Sequence, residues 1–160
     1  MDLRAKAIDI RKDIVNLIYH AGTGHIGGDL SVTDILVDLY YKQMNVGPDK
    51  VQDPERDRFV LSKGHCVEAL YTILADKGFF PKEELQTYSQ YLSKFIGHPN
   101  NKIAGVEVNS GSLGHGLAVG VGMALAAKMD QRAYRTYVVL GDGECDEGSV
   151  WEGAMAGPQY

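Results

Sequence analysis

The segment Thr136–Gly148, TYVVLGDGECDEG, constrains the fold more than any other stretch of the chain. Thr136-Tyr137-Val138-Val139-Leu140 is a short apolar run rich in β-branched and aromatic residues, which predicts a strand buried on both faces. It stops at Gly141-Asp142-Gly143. In an open α/β sheet, ligands sit beyond the carboxyl ends of the strands, where this tripeptide falls. Two glycines let the backbone turn sharply and come close to a ligand. The carboxylate between them suits a hard cation, which in turn can hold a diphosphate. A plain strand-to-helix turn with a solvated Asp explains the tripeptide equally well, and the segment alone leaves both readings open.

The rest of the chain alternates helices with short strands. Leu3, Ala7, Ile10, Ile14, Leu17 and Ile18 recur at helical spacing, and Gly22 supplies the stop. Thr23 to Leu30 reads as a glycine-rich loop. Ser31 with Asp34 then resembles a capping box that opens a second helix, carried by Ile35-Leu36 and reaching Met44. Asn45 to Arg58 is a polar connection, and Phe59-Val60-Leu61 is a strand ending in Ser62-Lys63-Gly64-His65. A helix is expected from Cys66 to Lys77, and another over Lys82 to Tyr91 with Pro81 at its first turn. Ser93 to Ser112 is mostly loop. Gly114 to Met129 predicts a buried helix, with Gly120 and Gly122 letting a neighbour approach, and a last helix begins near Gly148. The pattern implies one α/β domain over 1–160, its sheet mostly parallel with helices on both faces.

Charge narrows the function. Sixteen basic and 21 acidic residues give a net charge of −5, so no broad basic surface for nucleic acid is implied. A bound phosphate must be held locally, by glycine amides, a helix N-terminus, a metal or a single lysine. The N-terminal residues lack the apolar core of a signal peptide, and Leu113 to Met129 falls short of a membrane span. Cys66 and Cys145 form no CxxC pair and fit a reducing cytoplasm.

Four of the five histidines follow glycine: His25, His65, His98 and His115. Random order would give fewer than one such pair. Loops and element ends let a scaffold aim imidazoles into one cleft, where they bond hydroxyls or carry protons near neutral pH. No HxH, HxxxH or HExxH spacing supports a zinc site. His20 lies within a helical pattern and reads as a helix-end histidine.

Five ordered stretches, TGHIGGDLS, RDRFVLSKGHCVEALY, FIGHP, NSGSLGHGLAVGVGMALA and LGDGECDEGSVWEGAMA, resemble the N-terminal part of transketolases across nearly the whole chain. The likeness is greatest to the two-chain form, in which the diphosphate-binding domain is a separate subunit. It implies thiamine diphosphate with Mg²⁺ (or Ca²⁺ or Mn²⁺ in its place) and transfer of a two-carbon ketol unit from a ketose phosphate to an aldose phosphate. By the resemblance, Asp142 binds the metal and Gly143 packs under the diphosphate. Gly111-Ser112-Leu113 is the cofactor-contacting loop, and His65 stands beside the diphosphate and reacting ring. His25 and His98 face the sugar, while Glu147 couples two active sites or is a solvated helix-start residue. His115 and Ser112 stand where many relatives carry Gln and Pro. Lys63 has two readings, a phosphate contact or an exposed lysine, and the exposed one is the default expectation.

The chain stops before the Asn and backbone carbonyl that complete the family's metal shell, before a later substrate-side histidine and before further strands. It also lacks the pyrimidine-binding domain. The resemblance therefore implies an incomplete diphosphate domain with an exposed sheet edge, active only in an oligomer with a complementary C-terminal chain. FIGHP and SKGH favour an ordinary transketolase of the pentose phosphate pathway over three alternatives: a deoxyxylulose-phosphate synthase-like activity, a specialised sugar-phosphate transketolase, and a non-catalytic partner chain.

Overall fold

A computed structural model describes residues 1–160. Helix α1, Leu3–Ala21, starts where the Asp2 carboxylate accepts the Arg4 and Ala5 amides, and ends at Gly22. At φ +65°, Gly22 adopts the left-handed conformation that glycine takes without a Cβ penalty, and its N–H closes on the Ile18 carbonyl. Ala7, Ile10 and Ile14 are buried, as their spacing requires.

Helix α2, Ile26–Asp38, corrects the expected loop and capping box. Only Thr23 to His25 are non-helical between α1 and α2 beyond the Gly22 stop, and Ser31 is an exposed residue within the helix. Packing overrides the glycine propensity here. A Cβ on Gly28 would lie 2.6 Å from Cys66 Sγ, so the glycine lets α2 rest directly on the following segment. Asp34, instead of completing a box, takes the Arg11 guanidinium at 2.7 Å. A π-turn, Leu39–Gln43, ends the helix and buries Tyr40 against Phe59, ring centroids 5.2 Å apart.

Strand β1, Arg58–Leu61, leads through a 3-10 turn at Gly64–Cys66 into α3, Val67–Asp76. Every residue of α3 from Val67 to Ala75 is buried, and α1, α2 and α3 pack on one another around the main core. The helix expected over Lys82 to Tyr91 is only a 3-10 segment, Lys82–Thr87. Tyr88 leaves it in extended conformation to bury its ring and donate its hydroxyl to Glu68, and that inward turn stops the helix.

Helix α4, Gly116–Met129, returns the chain to strand β2, Thr136–Val139, and α5, Gly148–Gln159, follows. The two strands pair in parallel, Arg58 opposite Thr136 and Leu61 opposite Val139. Phe59 and Leu61 join the main core, while α4 covers both strands on the other face. Gly120 admits the Val138 side chain, as expected. Gly122 does not: a Cβ there would meet nothing within 4 Å. Two burial expectations also change. All four residues of β2 are only half-buried, and α4 buries just Gly116, Gly120 and Ala127. The fold is mixed α/β with a small parallel sheet. No helix is long and apolar enough to cross a membrane.

Candidate functional site at the carboxyl ends of the strands

Because β1 and β2 run in the same direction, they deliver Ser62-Lys63 and Gly141-Asp142-Gly143 side by side. The Ser62 amide still donates to the Val139 carbonyl at 2.9 Å. Beyond it, one carboxylate ties the loops together. Glu144 Oε1 accepts the Ser62 hydroxyl at 2.5 Å and the Gly114 amide at 2.8 Å, and Oε2 accepts the Gly141 amide at 2.8 Å. Ser62 Oγ in turn accepts the Gly116 amide at 3.1 Å, at the start of α4. Glu144 is 3% exposed. Three donors facing two acceptor oxygens satisfy it, so it locks the turn after β2 to the turn before α4.

Three of the expected histidines converge. The His25 ring lies 5.5 Å from that of His65 and 6.2 Å from that of His98, centroid to centroid. Backbone brings them together. A Cβ on Gly111, which sits at φ +133°, would lie 2.5 Å from His98 Cδ2, and one on Gly64 would lie 2.8 Å from the Gly111 amide nitrogen. The Gly111 loop and the Gly64 turn therefore touch main chain to main chain, with His98 laid across them. Burial, then the neighbouring Lys63 charge and the other two histidines, hold the His65 imidazole below its ordinary range, so it favours the neutral form. A neutral imidazole has one donor and one acceptor nitrogen, which suits hydrogen bonds to hydroxyls and phosphoryl oxygens.

Asp142 and Gly143 are exposed at the end of β2, with Gly143 opening the 3-10 turn Gly143–Asp146. Ser112, Leu113 and Glu147 are also exposed. Glu147 precedes α5 without capping it, and its side chain packs against Gly114. No group of three or more His, Cys, Asp or Glu side chains is arranged to hold a metal ion. Such a site fits Mg²⁺ only where one carboxylate and phosphate oxygens share the cation. The close main-chain approach at Gly64 and Gly111 and the free Asp142 carboxylate fit a diphosphate with its metal.

Lys63 is a correction. The structure leaves it only 9% exposed, its side chain beginning against Gly141 and its charge felt by His65, Cys66 and Asp29. Its amide still reaches the Val139 carbonyl at 3.4 Å, so the side chain starts within the packed end of the sheet. His115 bonds the Leu113 carbonyl at 3.0 Å through Nδ1. His20 bonds Asn16 and lines a groove of about 670 Å³ together with Asp13, Thr72 and Tyr88, apart from the histidine cluster.

Sequence reasoning missed Glu144, Asp29 and Glu68. Each is a carboxylate in a chain rich in acids, and nothing in its spacing announces burial. The one available signal was position: Glu144 directly follows Gly-Asp-Gly, and Glu68 follows the Gly64-His65 turn.

The family model "Transketolase, thiamine diphosphate binding domain" matches residues 3–159. The chain is 57% identical over 150 residues to one of the subunits of the apulose-4-phosphate transketolase of Phocaeicola vulgatus, covering 94% of this chain and 53% of that protein. It is 44% identical over 156 residues to a 6-deoxy-6-sulfo-D-fructose transketolase subunit of Clostridium sp., covering 97% and 57%. Among solved structures, transketolase of Campylobacter jejuni superposes with a TM-score of 0.90 at 33% identity, covering 98% of this chain and 26% of that one. The chain thus spans about half the length of the subunit relatives and about a quarter of the larger enzyme. On these grounds the chain belongs to the transketolase family, matching its thiamine diphosphate binding domain over residues 3–159.

Proposed function

We propose that the chain supplies the diphosphate-binding side of a two-chain transketolase that transfers a two-carbon ketol unit between sugar phosphates. One observation carries this reading: His25, His65 and His98 meet at a glycine-lined floor beside the end of the parallel sheet. Bound thiamine diphosphate would supply the nucleophilic carbon and the electron sink for C–C cleavage. The protein's own part is to bind, orient and move protons. Asp142 would hold Mg²⁺ against the diphosphate, and Gly143 and the Gly111-Ser112-Leu113 loop would leave room for it. His65 would lie against the cofactor, donating a hydrogen bond from its neutral ring. His25 and His98 would bond the sugar's carbonyl and hydroxyl oxygens and exchange protons with them. Glu147, seated on the Gly114 turn, would link this site to a second one across an oligomer.

The substrate of choice is a specialised ketose, a sugar phosphate or a sulfosugar. Two of the relatives are named for apulose-4-phosphate and for a sulfosugar, which supports this over both a general pentose-phosphate role and a deoxyxylulose-phosphate synthase-like activity. Both names also describe subunits, which supports a complementary chain as partner. Two free cysteines fit a reducing, cytoplasmic setting. Residues 1–160 act as one unit, a part of the diphosphate-binding domain.

Titration calorimetry of thiamine diphosphate with and without Mg²⁺, on the chain alone and with its complementary chain, tests the reading. Mg²⁺-dependent heat that disappears in Asp142→Ala supports it. No heat in either setting, from folded protein, favours the non-catalytic partner instead.

A further inference from the structure

Behind the histidines lie two carboxyl groups that the binding reading does not use. Asp29, in the first turn of α2, and Glu68, in the first turn of α3, are each 0% exposed. Two of their four oxygens are well partnered. Asp29 Oδ1 accepts the Ala69 amide at 2.9 Å, while Glu68 Oε1 accepts the Tyr88 hydroxyl at 2.7 Å and the His25 amide at 3.2 Å. The other two, Asp29 Oδ2 and Glu68 Oε2, are buried with no donor. Asp29 Oδ1 sits on the amide of Ala69, the residue after Glu68, which sets the two carboxyl groups side by side at the start of α3.

Ionised carboxylates only accept hydrogen bonds, so this pair has no bond to make unless a proton is present. Two adjacent buried negative charges would also repel each other after losing their hydration. One proton removes both difficulties, since it turns one carboxyl oxygen into a donor and leaves a single negative charge on the pair. The groups facing the pair leave room for a single remaining charge. They are Lys63 from the end of β1, Cys66 and Tyr71 on the α3 side, Tyr88, and His25, whose Nδ1 lies 4.0 Å from Glu68 Oε1. Lys63 is the only permanent cation among them.

The pair also bears on the candidate site. Gly24 sits at φ +154°, and a Cβ there would lie 2.7 Å from Glu68 Oε1 and 2.6 Å from Ile18. The Thr23–His25 loop is thus pressed onto Glu68 and held by the His25 amide. We propose that Asp29 and Glu68 share one proton at neutral pH, and that this singly protonated pair is the strut that positions the His25 loop. Consistent with this, burial and then the Glu68 charge push the Asp29 carboxyl up to about 8. Both are positioning residues, acting on a substrate only through His25. The shared proton is independent of the transketolase reading; its consequence for a sugar rests on it.

The pH dependence has a definite sign. The unfolded chain loses both protons near pH 4, whereas the folded chain keeps one until near pH 8. Between these values the folded state binds more protons, so its stability is full below the unfolded pKa and is lost as pH rises. The folding equilibrium constant should fall about tenfold per pH unit from this pair.

Infrared spectroscopy of the folded chain at neutral pH tests the proton, comparing wild type with Glu68→Gln and Asp29→Asn. Either amide gives the facing carboxylate an N–H donor in place of the proton. A protonated-carboxyl C=O band in the wild type, absent from both variants, with the pH slope of unfolding flattened by about one proton, is the expected result. A wild type without the band, or both variants retaining it, overturns the shared proton. NMR tests the strut. The His25 amide and ring resonances should hold their positions in Glu68→Gln and shift in Glu68→Ala, and no shift overturns the positioning role. If Glu68→Ala does not fold, Glu68→Asp withdraws the acceptor by one methylene and is read the same way. None of these measurements needs cofactor or sugar, so their failure is separable from failure of the calorimetric test above.

Discussion

Helices α3 and α4 make an instructive pair. Helix α4 carries one charged residue, Lys128, while α3 carries two, Glu68 and Asp76. Composition alone would bury α4 more deeply. The reverse holds: α3 is buried along nine consecutive residues, and α4 buries three. The strands follow the same division, since β1 is almost wholly buried and β2 is half-exposed throughout. What surrounds an element decides its burial. Helix α3 lies amid α1 and α2, whereas α4 lies on the outer face of a two-stranded sheet and leaves Val119 and Met129 exposed.

The contrast is open to a direct break. Leu74→Ala in α3 should cost about 2–5 kcal/mol through lost burial and a residual cavity. Val119→Ala in α4, starting from 40% exposure, should stay within about 0.5 kcal/mol. Urea midpoints at an unchanged slope measure both. Equal effects would mean that the two sides form one continuous core. Next in size is the seam between them. Glu144→Ala orphans the Ser62 hydroxyl and the Gly114 and Gly141 amides, and should cost about 3 kcal/mol. Hydrogen exchange should show those two amides losing protection while α3 stays protected.

A smaller effect sharpens the comparison within α4. Gly120→Ala should cost about 1–3 kcal/mol, because its Cβ would run into Val138. Gly122→Ala meets open space and should stabilise by up to about 1 kcal/mol through helix propensity. Thermal melts of the two single variants should therefore move in opposite directions. Smallest of all is the His65 effect. Its pKa is lowered on folding, so its contribution is present above the unfolded value and is lost as pH falls through the folded one. Melting temperature in His65→Asn should depend less steeply on pH on the acid side of about 6.5 than in the wild type.

Much of the fold was legible. Helix α1 runs between the limits that its apolar spacing and Gly22 imply, and α3, both strands and α5 lie where their patterns place them. The histidine cluster was legible as well, since three glycine-flanked histidines do meet. The carboxylates beneath and beside them were not. Asp29, Glu68 and Glu144 look like any of the 21 acidic residues until distant backbone amides are seen to point at them. Lys63 and the start of α2 were misread because packing between distant segments fixes them: Lys63 against Gly141, and Gly28 against Cys66.

The sequence by itself determined the periodic apolar faces, the left-handed stop at Gly22, and the order of turns that brings glycine and histidine to the strand ends. These depend on contacts within a few residues, where spacing and φ preference act directly. Tertiary structure alone decided that α2 begins at Ile26, that α4 and β2 stay half-exposed, and that Asp29, Lys63, Glu68 and Glu144 are buried. Local propensities differ by no more than about 1 kcal/mol per residue, outside proline. A buried hydrogen bond or a filled core position between distant segments outweighs that, and neither exists until the segments meet.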